Sequence, residues 1–148
     1  MGRIVASVVV GYLAMFGIVF TTFTIAYLGM GTNRAFQPGT YEVSGLWLGV
    51  SFVLAFVAAI VGGVVCAAIA RSRKGPRALA IAVLALGLLM AIPVLTSGDK
   101  ATPTRGESVG NLEAMQSGVQ PAWVALTNPF VGLIGVLIGA GLRRVDHP

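Results

Sequence analysis

With 148 residues, 56% of them apolar and only 10% charged, the chain has too few charges to cover the surface of a water-soluble domain, which ordinarily carries roughly 25%. The formal net charge of +5 does not point to nucleic acid, because the basic residues stand at the ends of apolar blocks rather than along one polar face. The one cysteine, Cys66, excludes an internal disulfide and lies in mid-block as a small packing residue.

Four charge-free blocks predict four membrane spans, at about 4–28, 46–70, 78–95 and 121–142. About 20 apolar residues cross a hydrocarbon layer of roughly 30 Å as a helix. The expected fold is therefore all-α and integral to a membrane, a bundle of four transmembrane helices forming a single domain over 1–148.

Span one follows Arg3 and is longer than the apolar core of a signal peptide, with no A-x-A site behind it, so it reads as an uncleaved span. Near its far end stand Thr21, Thr22 and Thr24. Thr21 and Thr24 share a helix face and are candidates to line a polar intramembrane site. The competing role, in which each hydroxyl bonds its own helix backbone, is the expected one. The connection from Gly29 to Gly45 is rich in turn residues and reads as an ordered loop without chemistry.

Span two opens with Tyr41 and Trp47, which suit the headgroup level. Ala55, Ala59, Gly63 and Ala67 recur every four residues along it, as do Ala58, Gly62, Cys66 and Ala70. Such smooth faces let helix backbones approach one another in lipid. Packing within the chain is expected ahead of a homodimer, because four helices already supply partners. The span ends at Arg71-Ser72-Arg73-Lys74-Gly75-Pro76-Arg77. Span three carries Pro93, which predicts a bend near its far end. The connection 96–120 is polar at first. Its second half, with Asn111 as cap and Leu112, Met115 and Val119 at helical spacing, predicts a short helix on the outer membrane surface.

Span four opens with Trp123, holds Gly135 and Gly139 four apart, and stops at Arg143-Arg144. It also contains Asn128-Pro129. A half-helix starting there would cover about 21 Å, too short to cross, whereas a helix from Pro121 covers about 33 Å. A full span with a kink is therefore expected, with Thr127 or Asn128 satisfying backbone groups that Pro129 loosens. Asn128 either lines a polar cavity with Thr127, Thr21 and Thr24 or bonds a neighbouring helix, and the second is expected. Aquaporins carry Asn-Pro-Ala at the tips of two half-helices. Here Asn128-Pro129-Phe130 occurs once, in a chain of four spans, and no kinship follows.

With the N-terminus inside, the inner set of cations is Arg3, Arg71, Arg73, Lys74, Arg77, Arg143 and Arg144, against Arg34, Lys100 and Arg105 outside. The excess of positive charge orients both termini toward the cytoplasm. A bacterial plasma membrane is the expected location.

Catalysis is not expected. No ionisable side chain lies in any span core, the single His147 lacks companion metal ligands, and Ser7 and Ser51 have no base beside them. No cofactor is implied. Expected partners are the bilayer and, within it, other membrane proteins or a second copy. The composition predicts a membrane-embedded accessory or interaction subunit. The alternative is a facilitative channel or carrier for a small neutral solute or lipid.

Overall fold

The computed structural model describes residues 2–96, 113–114 and 117–143. Four long helices, each long and apolar enough to cross a membrane, make up most of it: α1 (Gly2–Met30), α3 (Gly45–Ala70), α4 (Lys74–Thr96) and α5 (Ala122–Leu142). A one-turn helix, α2 (Thr32–Ala35), follows α1. Among the described residues there is no strand, only two isolated bridges.

Local chemistry sets each boundary. Gly31, at φ 71°, turns the chain out of α1, and its amide still donates to the Tyr27 carbonyl at 2.9 Å. Ser44 caps α3 by accepting from the Trp47 amide at 3.1 Å. Arg71 ends α3 in the left-handed conformation at φ 49°. α4 begins at Lys74, four residues before the apolar block does, because Pro76 falls in the first turn where an amide is not needed. α5 runs unbroken through Asn128-Pro129 from Ala122 to Leu142.

The four long helices alternate in direction, so α1 begins and α5 ends at the same end of the bundle. Arg3 marks this basic end by donating from Nε to the carbonyl of Ile69, on the last turn of α3, at 2.8 Å. α3 packs antiparallel to α1 and parallel to α5. α4 lies antiparallel to α5 and touches α1 and α3 less extensively.

Glycines make these contacts close. A Cβ on Gly63 would overlap the Val136 carbonyl, and one on Gly139 would overlap the Ile60 carbonyl, so α3 and α5 meet backbone to backbone. On the other side of α3, a Cβ on Gly11 would come within 2.9 Å of Cys66 Cβ and 3.1 Å of the Gly62 carbonyl. Ala59, Ala67 and Gly135 are buried in the same seams, with Gly135 seated against Ala59 and the Phe56 carbonyl. Ala55 is only half-buried. The outward surface is apolar, with Phe16 62% and Phe20 64% exposed, which suits lipid contact.

The opposite end carries a folded cap. Tyr27, Phe36, Tyr41, Val43 and Trp47 form a buried aromatic cluster with Ala35 and Ala114. Trp47 meets Tyr27 and Phe23 edge-on at ring separations of 5.7 and 5.8 Å. Tyr41 and Trp47 are each 8% exposed, so they are core residues of this cap rather than headgroup anchors. The loop between α1 and α3 is thereby more than a connection. Val43 donates to the Val119 carbonyl at 3.1 Å, and Val119 donates to Tyr41 at 2.8 Å, which ties the lead-in to α5 onto it. Val119, placed on a surface helix by its spacing, is instead extended, because its amide and carbonyl serve this bridge. The remainder of that expected helix lies largely outside the described residues.

Two outcomes test this architecture. Gly63→Leu drives a side chain into the α5 backbone and is expected to cost more than the roughly 1–3 kcal/mol of ordinary overpacking. Its yield after mild extraction should collapse, whereas Gly17→Leu, with open space around it, should accumulate and melt like the wild type. In bilayers of brominated lipid, the Trp47 fluorescence of a Trp123→Phe protein should resist quenching. The Trp123 fluorescence of a Trp47→Phe protein should be strongly quenched.

Candidate functional site: a lateral groove

The helices do not pack evenly along their length. Near the basic end α1 and α4 are sealed. A Cβ on Gly75 would lie 2.8 Å from Ser7 Oγ, and one on Gly11 would lie 3.0 Å from Leu79 Cδ2. Ser7 and Leu79 are fully buried there, and the Ser7 hydroxyl donates to the Ile4 carbonyl at 2.7 Å. Further along, large side chains on both helices hold them apart and leave a cavity of about 400 Å³. It lies within the roughly 300–1,000 Å³ of small-molecule sites.

Three helices supply most of its lining. α1 supplies Tyr12, Met15, Phe16, Val19 and Phe23, while α4 supplies Val83, Leu86, Gly87, Met90 and Ala91. From α5 come Ala125, Asn128, Pro129 and Gly132, and α3 reaches it only through Ala55. The back wall is the α4–α5 seam, where a Cβ on Gly87 would come within 2.6 Å of Pro129 Cγ. The rim is open to the side, with Met90 76% exposed. In a bilayer that opening faces hydrocarbon.

The lining is apolar except at Asn128 and the Tyr12 hydroxyl. Neither makes a hydrogen bond with another described residue. Asn128 lines a largely apolar wall, which is neither the polar cavity with Thr127, Thr21 and Thr24 nor a bond to a neighbouring helix among the described residues. Asn128 lies six residues into α5, about 9 Å below its first residue. Asn128 is exposed on that wall, and in a bilayer a carboxamide at that depth meets little water.

The other sequence candidates do not converge on this site. Thr127 donates to the Trp123 carbonyl at 2.8 Å and is not part of the lining. It therefore serves a carbonyl other than that of Ala125, the one that Pro129 leaves without its amide. Thr24 donates to Phe20 and Thr22 to Ile18, both at 2.7 Å, so these hydroxyls satisfy their own helix. Thr21 is exposed and outside the groove. Arg71, Arg73, Lys74, Arg77 and Arg143 are exposed at the basic end, and Arg144 lies outside the described residues. Sequence reasoning missed Tyr12 and the α4 wall. A phenol in mid-span and Gly87 opposite Pro129 were the available signals.

Among the described residues no cluster of three or more His, Cys, Asp or Glu side chains can hold a metal ion. What the groove can do chemically is hold an apolar body and offer it neutral hydrogen bonds. No family model, no curated protein and no solved structure matches the chain.

An unpaired carboxamide in hydrocarbon destabilises the empty protein by about 1–3 kcal/mol. Asn128→Leu is therefore expected to raise the melting temperature of delipidated protein by a few degrees. A fall of similar size would show that the carboxamide has a partner within the fold.

Proposed function

We propose that this protein binds a neutral, lipid-like molecule that enters the groove sideways from the bilayer. Its apolar chain lies along α1 and α4, and its hydroxyl or carbonyl group meets Asn128 and Tyr12. The observation that carries this reading is the pairing of an apolar, laterally open cavity with two polar groups that have no hydrogen-bond partner among the described residues. A charged headgroup does not suit the site, because no cationic or anionic side chain lines it.

An accessory or scaffolding role rests on the small-residue faces together with the aromatic belts and the lack of ionisable groups in the spans. Gly11, Gly62, Gly63, Gly135 and Gly139 are engaged inside the bundle, so those faces no longer ask for an outside partner. Conduction across the membrane has less support as well, because Gly11, Leu79, Cys66 and Gly75 pack closely on the basic side of the cavity. Storage, presentation or within-leaflet transfer of a lipid fits the geometry better. No catalytic step is proposed.

The charge asymmetry supports a cytoplasmic basic end and an outer cap, in the plasma membrane of a bacterium. The groove then lies toward the outer leaflet. In this orientation Gln37→Cys, in a Cys66→Ala background, should react with an impermeant thiol reagent applied to intact spheroplasts. Reaction only after lysis would invert the topology.

Native mass spectrometry of gently purified protein tests the binding itself. The wild type should retain one neutral lipid-class molecule. Ala125→Phe, which fills the groove, should lose it while keeping its melting behaviour. Asn128→Leu should weaken retention about tenfold, the equivalent of one neutral hydrogen bond. Equal retention by all three proteins would defeat the proposal.

A further inference from the structure

The basic end carries a second feature that the groove does not use. Three residues, Arg71 to Arg73, join α3 to α4 in a tight turn. Arg71, Arg73, Lys74 and Arg77 are all exposed on it. Lys74 and Arg77 are three apart on α4 and share a helix face. Arg3 is fastened to the same end through its bond to Ile69, which uses one of its five N–H donors. None of the four turn cations forms an ion pair or hydrogen bond through its side chain with another described residue. The described acids, Glu42 and Glu113, belong to the cap end, where their neighbours Tyr41, Val43 and Ala114 are buried.

Such a cluster is locally unfavourable. Like charges crowd one turn, and Lys74 and Arg77 add to the positive end of the α4 dipole, where no acidic residue stands in the first turn. An anion at the turn relieves both conditions together. The turn lies where two membrane-length helices leave the hydrocarbon, which is the depth of lipid phosphates.

We infer that the α3–α4 turn is a binding site for the phosphate of an anionic phospholipid, held by Arg73, Lys74 and Arg77 with Arg71 and Arg3 flanking. The site is independent of the groove. It selects by charge, whereas the groove selects for its absence.

The test uses the full chain in nanodiscs of phosphatidylcholine, with and without phosphatidylglycerol of the same acyl chains. The expected result is a melting temperature several degrees higher with phosphatidylglycerol, a gain that shrinks as salt is raised. The triple variant R73Q/K74Q/R77Q should show no such gain, and inorganic phosphate added to phosphatidylcholine discs should not reproduce it. Equal melting of the wild type in both lipids would overturn the proposal and leave the cluster to an acidic partner in water. A full shift from inorganic phosphate would make it a site for a soluble anion instead. A gain undiminished in the triple variant would place the lipid elsewhere. If that variant fails to accumulate, K74Q alone should show a reduced gain, and an unchanged gain would count against the site.

Discussion

Close backbone contact between α3 and α5 is the constraint on which the rest of this bundle depends. Hydrocarbon surrounds the helices, and apolar side chains gain little by leaving it for one another. Association must come from dispersion at short range and from backbones that approach without side chains between them. Gly63 against Val136 and Gly139 against Ile60 supply that approach on α3 and α5. Gly11 and Gly62 repeat it between α1 and α3. A helix that makes both contacts becomes the centre of the bundle, and α3 is that helix.

The groove is the other side of the same arrangement. Small residues close the α1–α4 contact only near the basic end, at Ser7, Gly11 and Gly75. Beyond them Phe16, Val19 and Phe23 on α1 face Leu86 and Met90 on α4, and these side chains leave space rather than fill it. A soluble protein would collapse such a gap or flood it. In a bilayer the gap opens onto hydrocarbon, and in the proposed reading Asn128 and Tyr12 are the groups that distinguish one lipid-phase molecule from another. The arrangement fits a trade of stability for binding, in which the polar group that weakens the empty fold is the one that recognises the ligand.

Much of this was legible in the sequence. Composition and block length expose the four helices directly, because the bilayer imposes length and apolarity on each span. The four-residue spacing of Ala59, Gly63 and Ala67 marks a buried seam for the same reason. Less visible was the cap. Tyr41 and Trp47 have the composition of headgroup anchors, and only the pairing of Tyr41 and Val43 with Val119, far along the chain, turns them into a core. Charge places the start of α4 too late in the sequence, because capping geometry sets the boundary at Lys74. Asn128 was identified as the polar residue of interest, but its choice between bond and cavity depends on what α1 and α4 place opposite it. Local pattern does not encode that choice.

In the two readings proposed above, the basic turn meets the bilayer surface through charge and the groove meets its hydrocarbon through shape. The groove depends on uneven sealing of the helices, and that is open to direct measurement. Methyl-labelled protein in nanodiscs doped with chain-spin-labelled lipid reports which side chains lipid can reach. The Met15, Val83 and Met90 methyl signals should broaden strongly, and those of Leu79 and Val136 should stay sharp. Equal broadening at Leu79 and Val136, or none at Met15 and Val83, would contradict uneven sealing.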